Sequence, residues 1–320
     1  MRPRIVVTQR IHPEVVALLS KHADVVMNES PDRTWSREEL LDRARDADAL
    51  MVFMPDSLDD DFLAACPRLK IVAASLKGFD NFDVAACTRR GIWFTIVPGL
   101  LTEPTAELAL GLLLGLARNI APGDRLIRSG TFAGWRPTLY GTSLVGATVG
   151  IVGFGQVGST LERLLQGFSC RVLHHDSATP GTPLDELLAA SDFVLPLLPL
   201  TPATLHLFNA ATIAKMKPGA FLINVSRGSV VDENAVADAL AGDHLAGYAA
   251  DTFEMEDWAR TDRPASIAPR LLAMRDKTLF TPHLGSAVQR VRQEIEMTAA
   301  RNILQALGGQ RPEGVLTSWI

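Results

Sequence analysis

The stretch V-G-I-V-G-F-G-Q-V-G-S-T-L-E-R-L-L, Val149 to Leu165, decides the fold. It opens as a short apolar strand and closes in a helical pattern, and between them stand Gly153, Phe154, Gly155, Gln156, Val157 and Gly158 in the order G-x-G-x-x-G. Six residues of this kind are weak evidence alone, but strand, turn and helix in sequence supply the context that a dinucleotide site requires. Gly153 permits the tight turn, Gly155 lets backbone amides approach a pyrophosphate, and Gly158 lets the helix pack close to the strand. Eighteen residues past Gly158, at the end of the run R-V-L-H-H-D, Asp176 is spaced to accept the adenosine ribose hydroxyls. Ser177, Ala178 and Thr179 offer no cation for a 2′-phosphate, so NAD is expected over NADP. An ordinary glycine turn with an unrelated surface aspartate would not place all four features in order.

Working outward, strand-like runs alternate with helical patterns almost from end to end, the mark of parallel sheets built from βαβ units. R-I-V-V-T, D-V-V-M, A-L-M-V-F, K-I-V-A-A-S and I-W-F-T-I-V precede the glycine motif. A-T-V-G-I-V-G, C-R-V-L-H-H-D, D-F-V-L-P-L-L-P, A-F-L-I-N-V-S, L-A-G-Y-A-A-D and T-L-F-T-P-H make a second series. The expected fold is α/β, with two doubly wound parallel-sheet domains. Between the series, Thr102 is a plausible cap for a long apolar helix that must be buried, between domains or against another subunit, and Pro122 ends or kinks it. After Asp176 the chain moves quickly to L-D-E-L-L-A-A-S-D, leaving little room for an intervening strand.

Bulk properties narrow the function. The 320 residues, 47% hydrophobic, suffice for two domains, and 31 basic against 36 acidic residues leave no Lys/Arg run that could track a phosphate backbone. Nucleic acid is therefore not an expected partner. Three cysteines lack metal or redox spacing. The N-terminus lacks the apolar core of a signal peptide, and Leu108 to Ala117 is too short to cross a bilayer, so a cytoplasmic protein with no membrane contact is expected.

Three later segments end apolar runs with reactive groups: I-N-V-S-R-G-S-V-V-D-E carries Arg227, Y-A-A-D-T-F-E-M-E-D-W carries Asp251 and Glu256, and L-F-T-P-H-L-G-S-A carries His283 and Ser286. Singly these read as a surface cation, a solvated acidic turn and a structural histidine. In this order after the glycine motif they resemble the D-isomer-specific 2-hydroxyacid dehydrogenase family along essentially the whole chain. The resemblance implies a flavodoxin-like substrate domain over 1–100 completed by the C-terminal helix over 288–320, and a Rossmann NAD-binding domain over 101–287. It places the active site between them and implies a homodimer built on the long helix. It makes Arg227 the anion-binding residue, His283 the acid/base and Glu256 its hydrogen-bond partner. It also puts Thr105, Ser226 and Asp251 beside the nicotinamide and Pro199 and Leu200 at the edge of the cofactor cleft.

One detail points to a branch of that family. Many members hold a carboxylate on a glycine-rich turn after the fourth strand; here the turn is S-L-K-G-F-D-N-F-D, in which Lys77 precedes Gly78 and adds a full charge. With F-M-P-D, G-W-R-P-T-L-Y-G-T and F-E-M-E-D-W-A-R-T-D-R-P it resembles the phosphite-oxidising members, the phosphonate dehydrogenases. That implies phosphite held by Lys77 and Arg227, oxidised to phosphate with NAD, and a pocket shaped by Met54, Trp135, Tyr140 and Ser286 with Arg292 behind it. The alternatives are an NAD-dependent D-2-hydroxyacid dehydrogenase acting on glyoxylate or hydroxypyruvate, and a non-catalytic NAD-sensing protein. A formate dehydrogenase is disfavoured because Glu256 stands where that relative has an amide.

Overall fold

The computed structural model describes residues 2–317. They divide into two compact units: Met1–Leu101 with Trp258–Thr261 and Ala287–Ile320, and Thr102–Asp257 with Asp262–Ser286. The grouping of Trp258–Thr261 with the first unit has no counterpart in the sequence reading; within that unit the Ala259 amide donates to Asn81 Oδ1 at 3.1 Å.

In the first unit β1 (Arg4–Val7), β2 (Asp24–Met27), β3 (Ala49–Val52), β4 (Ile71–Ala74) and β5 (Trp93–Thr95) form a parallel sheet in the order β2-β1-β3-β4-β5. This is the flavodoxin-type order, whose switch point lies between β1 and β3. β3 and β4 are buried along their whole length, as a strand covered on both faces must be. The crossovers carry α1 (Pro13–Ser20), α2 (Arg37–Ala44), α3 (Asp60–Ala64) and α4 (Val84–Arg89). Ser36 and Glu39 close a full capping box on α2, and Asp59 and Asp83 cap α3 and α4 with their carboxylates. The C-terminal helix, Gln289–Leu307, lays Ala299, Ala300 and Ile303 into the same core as Ile5, Val7 and Ile71. The tail then covers the free edge of β5, where the Leu316 amide donates to the Phe94 carbonyl at 2.9 Å.

The second unit begins with α5 (Thr102–Ala117) and α6 (Ile120–Arg128). Thr102 does not cap: it is the first residue of α5, and its buried hydroxyl has no hydrogen-bond partner among the described residues. The break between the helices falls at Asn119, whose φ is 52°, three residues before Pro122. α5 is buried within its own unit, against α7, β9 and β10. The sheet strands are β6 (Thr148–Val152), β7 (Arg171–His175), β8 (Phe193–Pro196), β9 (Ala220–Asn224), β10 (Leu245–Ala250) and β11 (Thr278–Phe280). Their helices are α7 (Gln156–Leu165), α8 (Leu184–Ala190), α9 (Ala210–Ile213), α10 (Glu233–Ala241) and α11 (Pro269–Ala273). The order β11-β10-β9-β8-β6-β7 is the doubly wound Rossmann order without its outermost strand. In place of that strand, residues 177–183 fold back on the β7 edge, with the Thr182 amide donating to the His174 carbonyl at 2.8 Å. Among the described residues no helix is long and apolar enough to cross a membrane.

One buried acid lies at the carboxyl end of the first sheet. Asp56 Oδ2 accepts the Thr8 hydroxyl and, at 2.7 Å, the Phe53 amide, tying the loop after β3 to the end of β1. Burial pushes its carboxyl up to about 6. A carboxyl raised on folding favours the native state fully below its unfolded value near 3.9 and loses that contribution as pH rises through 6. The shift corresponds to roughly 3 kcal/mol. Asp56→Asn keeps an oxygen for both donors, so melting temperatures from pH 4 to 7.5 should show the wild type losing stability relative to the variant across that window. Parallel curves would exclude Asp56 as the source.

Candidate active site

Val152 ends β6, Gly153 and Phe154 turn the chain, and Gly155 is the residue before the first turn of α7. Gly153 has φ +102°, and a Cβ there would lie 2.5 Å from the Leu197 carbonyl oxygen, so only glycine fits. At Gly155 a Cβ would meet nothing within 4 Å, and no side chain caps the first turn of α7. That is a cradle for a pyrophosphate. Asp176 follows β7, and its Oδ2 accepts the Phe154 amide at 2.8 Å while Oδ1 accepts those of Ala178 and Thr179 at 2.8 and 3.1 Å. These amides, Phe154 first, hold its carboxyl below the usual range, so it stays an anion beside the glycine turn. The residues present fit a bound dinucleotide. Pro199 and Leu200 lie past β8, where the Pro199 carbonyl accepts the Thr204 hydroxyl at 2.6 Å.

The other groups stand at the carboxyl ends of β9, β10 and β11. Asn224, the buried last residue of β9, holds the turn that follows: its Oδ1 accepts the Ser226 amide and hydroxyl at 3.0 and 2.8 Å, and its Nδ2 donates to the Arg227 carbonyl at 2.9 Å. Arg227 sends Nη1 to the Ser226 carbonyl at 3.0 Å. Gly228 follows because a Cβ there would sit 1.9 Å from the Phe253 carbonyl carbon. Sequence reasoning passed over Asn224, whose place at a strand end before S-R-G was the available signal.

Asp251, one residue past β10 and 1% exposed, organises the segment that carries His283. Its Oδ1 accepts the Thr281 hydroxyl and the Leu284 amide, both at 2.6 Å, and its Oδ2 the Gly285 amide at 2.9 Å. Its carbonyl accepts the His283 amide at 2.8 Å. Burial pushes this carboxyl up despite those bonds. His283 is thereby held at φ 56°, a conformation uncommon for a residue with a Cβ. Its Nδ1 lies 2.7 Å from Glu256 Oε2, while Glu256 Oε1 accepts the Phe253 amide at 2.9 Å. Thr105, on α5, donates to the Gly285 carbonyl at 3.3 Å, next to Ser286. Thus Glu256 and His283 meet directly, and Asp251 and Thr105 meet the turn that holds His283.

In the first unit Lys77 and Gly78 lie just past β4 and are half-buried; burial pushes the Lys77 ammonium below its usual value. Arg292, half-buried on the C-terminal helix, donates to the Ser75 carbonyl at 3.2 Å and lies over the Phe53 ring. Met54 packs against the β3–β4 core. Trp135 and Tyr140 stand 79% and 77% exposed on an arm, residues 129–143, every residue of which is exposed.

The sequence profile of the D-isomer specific 2-hydroxyacid dehydrogenase NAD-binding domain matches residues 110–285. The chain belongs to the D-isomer specific 2-hydroxyacid dehydrogenase family. The glyoxylate reductase of Thermofilum pendens is 38% identical over 328 residues, covering 98% of this chain and 94% of the relative. That of Pyrococcus furiosus is 35% identical over 327 residues, with 98% and 94% covered. Among solved structures, the TT0316 protein from Thermus thermophilus is similar with a TM-score of 0.88 and 32% identity, covering 98% of this chain and all of that one. The NADPH-dependent glyoxylate/hydroxypyruvate reductase of Sinorhizobium meliloti, in complex with NADP and malonate, has a TM-score of 0.83 and 30% identity, with 99% and 97% covered. The chain is thus a nicotinamide-dependent oxidoreductase of this family. The reductases among these relatives are named for 2-oxo acids, so they back the glyoxylate alternative better than the phosphite expectation.

If Asp176 selects for a free ribose hydroxyl, Asp176→Ala should weaken NADH binding by roughly ten- to a hundredfold, the loss of one or two charge-assisted hydrogen bonds. NADPH should lose less. Quenching of the tryptophan fluorescence on titration measures both, and equal losses would contradict the assignment.

Proposed function

We propose that this protein reduces a small 2-oxo acid of the glyoxylate class to the 2-hydroxy acid, with NAD(H) favoured over NADP(H), and catalyses the reverse oxidation. The His283–Glu256 contact of 2.7 Å carries the reading, in a chain that aligns over nearly its full length with glyoxylate reductases. The bound cofactor supplies the hydride. With Nδ1 turned to Glu256, His283 has Nε2 for the substrate oxygen: it gives that oxygen a proton in reduction and removes it in oxidation. Glu256 sets the tautomer and offsets the charge of the imidazolium. Arg227 offers a guanidinium fork to the substrate carboxylate, and Lys77 adds a second cation for it. Asp176 underlies the preference for NAD, since its fixed negative charge disfavours a 2′-phosphate.

Phosphite oxidation is the second reading, and Lys77 favours it, because two cations suit a small dianion. It ranks lower because the similar proteins are named for 2-oxo acids.

We further propose a homodimer. α6 buries none of its residues, and Ile120, Ile127, Phe132, Trp135, Leu139 and Tyr140 are all exposed on it and the arm that follows. Apolar surface of that extent marks a contact site, and a second copy of the chain is the occupant we assign. Light scattering should give twice the 34.6 kDa of one chain, and Trp135→Glu should shift it toward the single mass. A monomer at micromolar concentration would exclude the assembly.

Steady-state assays with NADH and glyoxylate, hydroxypyruvate or pyruvate, and with NAD and phosphite, decide the substrate. Turnover of a 2-oxo acid is expected, with His283→Asn reducing kcat roughly 10²- to 10⁴-fold. Lys77→Ala should raise KM for the acid about tenfold while cofactor affinity holds. Turnover of phosphite alone would replace this reading with the second one.

A further inference from the structure

Behind the Glu256–His283 pair stands a second group of ionisable residues that the proposed reaction does not use. Glu233, the first residue of α10, and Glu254, which opens the single 3₁₀ turn Glu254–Glu256, are only 2% and 6% exposed. They clasp each other through their backbones: the Glu254 amide donates to Glu233 Oε1 at 2.9 Å, and the Glu233 amide to Glu254 Oε1 at 3.1 Å. Glu233 Oε2 accepts the Ala268 amide at 3.0 Å. Glu254 Oε2 meets His206 Nε2 at 2.7 Å. His206 lies in the segment after β8 at φ 48°, and its amide donates to the Ser229 carbonyl at 2.7 Å. The Ser229 amide in turn donates to the buried carboxylate of Asp257 at 2.7 Å.

Two carboxyl groups buried side by side are costly, and apolar residues of the same volume would pack there at less expense. Burial pushes Glu233 up, and the neighbouring Glu254 and Glu256 add to it. The bonds obtained in exchange share a destination. They fasten the backbone that presents Glu256, on one side to the start of α10 and on the other, through His206 and Ser229, to the turn that presents Arg227.

We propose that Glu254 is a positioning residue: its clasp with Glu233 and its strut to His206 hold the 3₁₀ turn so that Glu256 reaches His283. The proposed effect reaches His283 through Glu256, whose Oε1 is anchored on Phe253, the residue next to Glu254. The kinetic part of the proposal rests on the reaction assigned under Proposed function; the geometric part does not.

Glu254→Ala and Glu254→Gln test it, in the full-length protein. The alanine variant loses clasp and strut, whereas glutamine keeps an acceptor for the Glu233 amide and a polar group for His206. Glu254→Ala should lower kcat roughly ten- to a hundredfold, within the range of a misplaced acid/base pair, with KM for the 2-oxo acid and cofactor affinity little changed. Glu254→Gln should restore most of the rate. Independently of turnover, the downfield proton resonance of the His283 Nδ1–H, assigned by its loss in His283→Asn, should move or exchange away in Glu254→Ala and persist in Glu254→Gln. His206→Ala removes only the strut; it should shift kcat and resonance in the same direction by less, and it serves if Glu254→Ala does not fold. An unchanged rate and resonance in Glu254→Ala, or equal loss in both Glu254 variants, would overturn the proposal. If the wild type turns over no 2-oxo acid, the functional assignment falls, and the resonance still decides whether Glu254 positions Glu256.

Discussion

Everything that gives His283 its place depends on one buried carboxylate. Asp251 comes directly after a strand, and its oxygens collect a hydroxyl and two amides from the segment Thr281–Gly285. A turn with a non-glycine residue at positive φ costs about 1–3 kcal/mol unless its surroundings over-determine it. Here three side-chain bonds and a backbone bond to one residue do so, and the imidazole is presented to Glu256 as a consequence. A hydrophobic residue at position 251 would pack more readily, but it would leave the buried Gly285 amide without an acceptor and free the Leu284 amide from the turn.

Sequence alone disclosed much of this architecture because parallel sheets are written in short apolar runs. All eleven runs are strands, with ends displaced by at most three residues. The pairing of Glu256 with His283 was legible only through a family pattern, since nothing in the spacing of two residues twenty-seven apart says that their side chains touch. The clasp behind them was not legible at all. Glu254, Glu256 and Asp257 stand in one four-residue stretch and read alike as solvated acids, yet Glu254 and Asp257 are buried. What separates them is which backbone amides happen to face each one, and amides do not appear in a pattern of side chains. The exposure of Trp135 and Tyr140 was equally out of reach: the resemblance names them for a pocket, and only the fold shows that they stand on an exposed arm.

The substrate question turns on a different kind of information. Cations of the kind proposed for the substrate, a guanidinium and an ammonium, recognise an anion by charge and by the directions of its oxygens, and a carboxylate and a phosphorus oxyanion present similar oxygens to such groups. The acid/base pair is equally indifferent, since it serves a hydroxyl or a water. Chemistry visible in single residues therefore narrows the substrate to a small oxyanion, and likeness along the whole chain is what favours a 2-oxo acid.

The outer edge of the second sheet has a consequence for how such a protein can change over time. Where a fuller doubly wound fold has another strand beyond β7, this chain has the loop over 177–183, bonded to the edge by one backbone bond and the side chains of His174 and His175. No strand and no core layer depends on the side chains of Ser177, Ala178 and Thr179, two of which are exposed. Residues that would greet the far end of a dinucleotide thus sit on a piece that can be lengthened, shortened or recharged without disturbing the sheet. That edge is a replaceable part, while the groups after β9, β10 and β11 are locked into the strands.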